Sequence, residues 1–117
     1  MLHTPEETML NGLIGAVADR QQLLANNLAN VTTNGYVRKD VDFNTIMRDL
    51  KTDNAGGNKD LDKTIQKAIY QDGSQKPTLE KELAAMYENQ LKYMLLVKLN
   101  GHIYKHMEEA TQAGRAV

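Results

Sequence analysis

The last third of the chain decides the fold, because residues 79–99 read LEKELAAMYENQLKYMLLVKL. Apolar residues recur here every three or four positions, which predicts a helix over about residues 79–112. Thr78 fits the N-cap of this helix, and acidic residues in the first turn favour its dipole. Two adjoining apolar stripes cover more surface than one partner helix can bury, so we expect other subunits to cover the rest. The stripe expected between subunits comprises Leu83, Met86, Asn89, Gln90, Leu91, Met94 and Val97.

A second long helix is predicted at the other end of the chain, over about residues 5–30. Thr4 and Glu7 match a capping box, and Pro5 suits the first helical position. Leucine, isoleucine and valine then recur in steps of mostly three, four or seven and give the helix one apolar stripe. The two terminal helices are therefore predicted to pack as a coiled-coil-like antiparallel pair in an all-α fold.

Between these helices the chain is polar and irregular. A turn is predicted at Asn34-Gly35, because both residues tolerate positive φ. Residues 31–43 are expected to form this turn and a short extended segment, and residues 44–77 a flexible polar middle. Within it, short helices are indicated over residues 43–50 and 60–70, with loops at 51–59 and 71–77. All these parts are predicted to form one domain, residues 1–117.

The composition narrows the classes of function. A chain of 117 residues suits one small domain or a subunit that is completed by assembly. Its 14 basic and 15 acidic residues argue against a nucleic-acid binder, which needs a basic surface. The absence of cysteine excludes disulfides and thiol catalysis. No apolar run approaches the ~20 residues that span a bilayer. Glu6 and Glu7 stand where the apolar region of a secretory signal would begin, so we expect no cleaved signal peptide.

One set of residues has the spacing of a metal site. His102 and His106 lie one helical turn apart, and Glu109 follows nearly one turn later. The preferred interpretation is two polar histidines near a helix C-terminus, where positive charge is favourable. We therefore expect no metal site and no cofactor.

Two carboxylates are the remaining candidate for chemistry. Asp40 and Asp42 alternate along the extended segment and point to the same side. No nearby feature would raise the pKa of either carboxyl group, so solvated charges or ion pairs with Arg38 or Lys39 are the preferred interpretation. We expect no catalytic residue, and hence no enzyme.

The end of the first helix carries an unusual polar motif. Residues 25–36 read ANNLANVTTNGY. Amide side chains at a helix end can bond the free carbonyls of the last turn or bridge to a neighbouring chain. The segment closely resembles the N-terminal motif of flagellar rod, hook and hook-associated proteins. The resemblance assigns assembly roles to its matching residues, which are Asn26, Asn27, Asn30, Gly35 and Tyr36.

Within that family the chain is most similar to the short proximal rod proteins of the FlgB type. Residues 38–43 (RKDVDF) and 79–93 carry this similarity, and 117 residues leave no room for the large β-domain of distal rod and hook proteins. Asn34 departs from the pattern, because many proximal rod proteins have proline there and distal rod proteins have the Thr-Asn-Gly form. The resemblance covers both terminal thirds and matches the middle third weakly.

The resemblance implies a structural subunit of the proximal rod of the bacterial flagellar basal body, polymerising helically in the periplasm as part of the drive shaft. It implies export by the flagellar type III apparatus without signal cleavage. The implied partners are further copies of the chain, a FliE-like basal protein and a FlgC-like rod protein, with no nucleic acid and no membrane insertion. Phe43 and Met47 match the family's Phe-x-x-x-apolar export-gate motif, although two core residues would also explain them.

Two alternatives remain open at this point. The first is another flagellar axial subunit. The second is a small helical adaptor or export chaperone that does not polymerise.

Overall fold

The computed structural model describes residues 5–52 and 61–115 of the chain. The protein is mostly helical, and the long N-terminal and long C-terminal helices are confirmed. The prediction of an all-α fold needs correction, because two short strands form a small sheet. In chain order the elements are α1 (Pro5–Ala29), β1 (Arg38–Val41), α2 (Phe43–Thr52), α3 (Leu61–Ala68), β2 (Ile69–Asp72) and α4 (Leu79–Arg115).

The turn predicted after α1 is present. The backbone N–H of Tyr36 donates to the carbonyl of Thr33 at 3.3 Å, and Gly35 between them has a φ of 79°. Asn34 keeps a negative φ. This combination matches a type II turn, in which the third residue must take a positive φ and is therefore best glycine.

The sheet joins β1 to a strand that the sequence did not indicate. The two strands are antiparallel, with Arg38 opposite Asp72 and Val41 opposite Ile69. The extended segment was predicted, but residues 69–72 were placed at a helix end and in a loop. β2 has only four residues, which is too short for a clear alternating pattern. A two-stranded sheet is marginal by itself, so this one depends on the helices around it.

The buried core lies between α1 and the middle of the chain. α2 and α3 confirm the two short helices that were indicated there, and both bury apolar side chains. The described part of the polar middle therefore forms helices and a strand. Helices this short gain most of their stability from packing against the rest of the protein. The loop predicted at 51–59 lies, from residue 53 onward, outside the described residues. The buried cluster consists of Ala16, Val41, Ile46, Leu50, Ile65 and Ala68.

α4 is the longest element, with 37 residues. At 1.5 Å per residue it is about 55 Å long, in a molecule whose largest extent is 66 Å. One side of α4 packs on α1 and buries Glu82 and Asn89. Much of its remaining surface is apolar and exposed. None of the helices in the described part of the chain has the length and apolar character needed to cross a membrane.

Candidate assembly site

Asn27 is fully buried at the C-terminal end of α1 and connects four parts of the protein. Its Nδ2 donates to the carbonyl of Lys39 at 2.8 Å and to Oε2 of Glu82 at 3.3 Å. Its Oδ1 accepts from the N–H of Lys39 at 3.0 Å and from the hydroxyl of Tyr36 at 3.1 Å. A carboxamide offers two donors and two acceptor positions, and all are used here. Asn27 therefore ties α1 to the turn, to β1 and to α4.

Beside Asn27 lies an ion-pair network that we term the Arg38 cluster. Arg38 donates through Nε to Oε1 of Glu82 at 2.8 Å, through Nη1 to Oδ2 of Asp72 at 3.1 Å, and through Nη2 to Oδ2 of Asp40 at 3.3 Å. Arg20 donates through Nε to Oδ1 of Asp40 at 2.7 Å. The cluster joins α1, both strands and the first turn of α4. Its members are Arg20, Arg38, Asp40, Asp72 and Glu82.

The surroundings favour the charged forms of Arg38, Asp40 and Asp72. The hydrogen bond to Glu82 contributes most to raising the pKa of Arg38. Burial by itself raises the pKa of Asp40, but hydrogen bonds from Arg20 and the Val41 N–H, with the charges of both arginines, outweigh it and lower that pKa. The Asp72 pKa is also lowered, first by the hydroxyl of Ser74 and then by Arg38. Removing one partner would leave another charge uncompensated in a largely buried position.

A second buried amide lies farther along the contact between α1 and α4. Nδ2 of Asn89 donates to the carbonyl of Val17 at 2.8 Å and to Oε1 of Gln21 at 2.9 Å. Its Oδ1 is buried and receives no hydrogen bond from any residue that the structure describes. The sequence placed Asn89 between subunits, whereas in this structure it faces α1 of its own chain. A shallow groove of roughly 390 Å³ adjoins it, lined by Val17, Ala18, Gln21, Gln22, Asn89, Gln90 and Tyr93.

The five motif residues take two different positions. Asn27 and Tyr36 belong to the buried network, whereas the other three lie at the end of α1 or in the turn. Nδ2 of Asn30 donates to the carbonyl of Asn26 at 2.8 Å, and Oδ1 of Asn30 accepts from the Thr33 hydroxyl at 3.0 Å. Asn26 and Gly35 are exposed. Of the motif residues, Asn27 and Tyr36 therefore stabilise the fold itself, and the others lie at or near the surface.

The stripe predicted on α4 is mostly exposed. Leu83 is 48% exposed and Met94 54%, and Met86 is half-buried. Because these apolar side chains face solvent in the single chain, they are free to contact another molecule. The exposed members of the predicted stripe are Leu83, Gln90, Leu91, Met94 and Val97.

The two residues of the export-gate pattern lie on α2. Phe43 is half-buried and packs against the core. Lys92 Nζ lies 5.2 Å from the centre of its ring and the Arg20 guanidinium 5.9 Å, distances typical of cation–π contacts. Met47 is half-buried. Phe43 therefore has a structural role in the folded chain, and its export role stays a prediction.

The alternative chemical sites are not assembled. His102, His106 and Glu109 are exposed on α4, and no group of three potential metal ligands comes together among the described residues. Asp42 caps α2, accepting the N–H of Asn44 at 3.0 Å, and does not pair with Asp40. The preferred interpretation of Asp40 as an ion-pair partner of Arg38 is confirmed.

Sequence reasoning missed the most deeply buried charged residue of the site. Glu82 is 1% exposed and bonds both Asn27 and Arg38. It had been interpreted only as a charge that favours the start of α4. One sign of this role was available, because Arg38 in its short strand needed an acidic partner. Spacing alone could not identify which of the 15 acidic residues that partner is.

Comparison with known proteins identifies no family for this chain: no family model matches it, and a search of the curated proteins finds no match.

Proposed function

We propose that this chain is a structural subunit of the proximal rod of the bacterial flagellar basal body, and that it acts by assembling with copies of itself and with other axial proteins. The observation that carries the proposal is a row of exposed apolar residues on α4, which we term the α4 apolar surface. Contiguous apolar surface on a small protein is typical of an interaction site. The row comprises Leu79, Leu83, Tyr87, Met94, Val97 and Tyr104.

This surface is separate from the side of α4 that packs on α1. Successive helical residues are rotated by about 100°, which places the α4 apolar surface roughly 110° around the helix from Asn89. α4 can therefore contact α1 and a second helix simultaneously. Tyr87 is 68% exposed, so the single chain leaves this side open. Fully burying one Leu, Val or Met side chain contributes about 1.5–3 kcal/mol, and the four such residues in the row favour association.

We also propose that α1 and α4 form an antiparallel, coiled-coil-like pair within each subunit. The hydrogen-bonded contacts support this direction. Asn27, near the end of α1, bonds Glu82 in the first turn of α4, whereas Val17, earlier in α1, bonds Asn89, later in α4. Buried amides at such positions fix the register of paired helices.

The flagellar part of the proposal rests on the motif at residues 25–36. The buried network uses Asn27 and Tyr36, and both belong to that motif. A motif that is needed to hold the subunit together is compatible with its use in a family of assembling proteins. The proposal includes export through the flagellar type III apparatus, a periplasmic position in the rod, and contacts with FliE-like and FlgC-like proteins.

The first experiment measures assembly of the purified chain. Sedimentation velocity over a wide concentration range is expected to show species larger than the monomer, growing with concentration. A folded monomer that does not respond to concentration would contradict self-assembly and favour the adaptor or chaperone alternative.

The second experiment tests the flagellar assignment in the bacterium that encodes the chain. Deleting its gene is expected to abolish motility and to leave basal bodies without a rod beyond the membrane ring, as seen by electron microscopy. The parent gene restores both in the complemented strain. Normal rods in the deletion strain would contradict the assignment, whatever the purified chain does.

A further inference from the structure

Three Asn-Gly pairs occur in the sequence, at Asn11-Gly12, Asn34-Gly35 and Asn100-Gly101. An Asn-Gly pair is the dipeptide most open to spontaneous deamidation, because glycine has no Cβ to hinder attack by its backbone nitrogen. Asparagine is among the thermolabile residues for this reason. The sequence alone gives all three pairs the same intrinsic reactivity.

The structure places the three pairs in different environments. Asn11-Gly12 lies inside α1 and Asn100-Gly101 inside α4, where backbone N–H groups are committed to helical hydrogen bonds. Gly12 is also buried, and a Cβ there would lie 3.0 Å from Leu50 Cδ1. Asn34-Gly35 lies instead in the exposed turn after α1. No hydrogen bond links the Gly35 N–H to any residue in the described part of the chain.

We propose that Asn34 is a site of spontaneous covalent modification, and that the fold protects the asparagines at 11 and 100. The Gly35 nitrogen attacks Cγ of Asn34, and the bond from Cγ to the side-chain amide nitrogen breaks. Ammonia leaves with the proton from the Gly35 nitrogen, which closes a cyclic imide. Water then opens either carbonyl of the imide and yields aspartate or isoaspartate.

Protection in the helices follows from the need to open them first. The attack requires the backbone nitrogen to approach the side-chain carbon closely, which a helical backbone does not permit. Each helical pair reacts only from a locally unfolded state, which requires several helical hydrogen bonds to open first. The turn needs only a local rearrangement of exposed residues.

The modification has a structural consequence at the neighbouring network. Tyr36 follows the reactive pair directly, and its hydroxyl donates to Asn27 at 3.1 Å. Isoaspartate lengthens the backbone by one carbon just before Gly35. It therefore displaces Tyr36 from Asn27 and leaves one acceptor position of a buried amide unfilled.

The test is a time course of the full chain at mildly alkaline pH, followed by peptide mapping with mass spectrometry. In the folded protein we expect conversion at Asn34 at least about tenfold faster than at Asn11 or Asn100, since the helical sites must first open. In concentrated urea all three sites are expected to react at similar rates. N34Q is the variant control, because glutamine would have to form a larger ring, and it should remove the modified turn peptide.

Two results would overturn the proposal. One is equal conversion at the three sites in the folded protein. The other is the same preference for Asn34 in urea, because that ranking would then come from the flanking sequence and not from the fold.

Discussion

Asn27 bonds both backbone groups of Lys39, with Nδ2 2.8 Å from the carbonyl oxygen and Oδ1 3.0 Å from the amide nitrogen. The side-chain amide thereby occupies the edge of β1 that has no neighbouring strand. Strand edges left open expose unpaired backbone groups to other chains. This single amide satisfies the Lys39 groups on that edge and, through Glu82, holds the start of α4 beside it.

Replacing Asn27 with alanine is expected to lower the free energy of unfolding by about 3 kcal/mol. The change removes the partner of both Lys39 backbone groups and one donor to the buried Glu82 carboxylate, which keeps its bonds to Arg38. A polar group left unpaired away from solvent costs about 1–3 kcal/mol. Urea unfolding of a dilute sample, followed by circular dichroism, measures it. N26A is the matched control, because Asn26 is an exposed neighbour of the same type, and its effect should stay within about 0.5 kcal/mol. Equal effects of N26A and N27A would refute the role of the buried network.

Stability is expected to fall in acid because of the Arg38 cluster. The folded-state pKa of Asp40 lies below its ordinary value of 3.8, and that of Asp72 is lowered as well. A carboxyl with a depressed folded pKa stabilises the protein above its unfolded pKa and loses that contribution as the pH falls through the folded pKa. The free energy of unfolding should therefore decline below about pH 4. In that range the carboxylates of the unfolded chain bind protons before those of the folded protein do.

The variant D40N isolates the share of Asp40 in this pH dependence. We expect it to be about 1–3 kcal/mol less stable at neutral pH, because two arginines lose a charged partner, and to lose less stability on acidification. Urea midpoints measured from neutral to acidic pH test both statements. E88Q is the control, since Glu88 is an exposed residue whose ion pair with Lys92 adds little. If the free energies of unfolding of D40N and the parent chain fell equally towards acidic pH, the stabilising role of Asp40 in the cluster would be contradicted.

The two glycines of α1 should respond differently to alanine. A Cβ at Gly15 would lie 3.5 Å from Ile65 Cδ1, an ordinary contact, so G15A is expected to raise the free energy of unfolding by about 0.5–1 kcal/mol through helix propensity. A Cβ at Gly12 would lie 3.0 Å from Leu50 Cδ1, so G12A must displace Leu50 and loses that gain. Thermal unfolding of the pair is the measurement. Equal gains from both variants would show that α1 and α2 pack less tightly at Gly12.

Parts of this fold follow from the sequence because their signals are long or local. Both terminal helices have many turns of apolar pattern, and Asn34-Gly35 marks its turn by two adjacent residues. At Gly12, by contrast, only the structure shows how closely Leu50 approaches.

The remaining features depend on contacts between residues far apart in the chain. Asn27 and Glu82 are 55 positions apart, and neither belongs to a pattern that would name the other. β2 forms because it pairs with the edge of β1, and its four residues have no clear strand pattern. Asn89 matched an apolar stripe by spacing, whereas its amide turns to the Val17 carbonyl of α1. Helical spacing defines positions around a helix but not which neighbour will occupy each side.

The α4 apolar surface provides the last prediction, because its residues are exposed in the single chain and buried in the proposed assembly. Glutamate at Val97, which is 44% exposed, places a charge in that surface without entering the core. V97E is expected to weaken self-association at least about tenfold, since an unpaired charge buried at an interface costs several kcal/mol. Its free energy of unfolding as a monomer should change by less than about 0.5 kcal/mol.

Sedimentation velocity compares V97E with the parent chain, and Q66E serves as the matched control. Gln66 is exposed on α3, away from α4, so Q66E adds the same charge outside the proposed surface and should leave association unchanged. If V97E and Q66E associate equally well, the α4 apolar surface is not the contact between subunits. If both variants associate less than the parent chain, net charge and not this surface governs association. That result would also contradict the proposed interface.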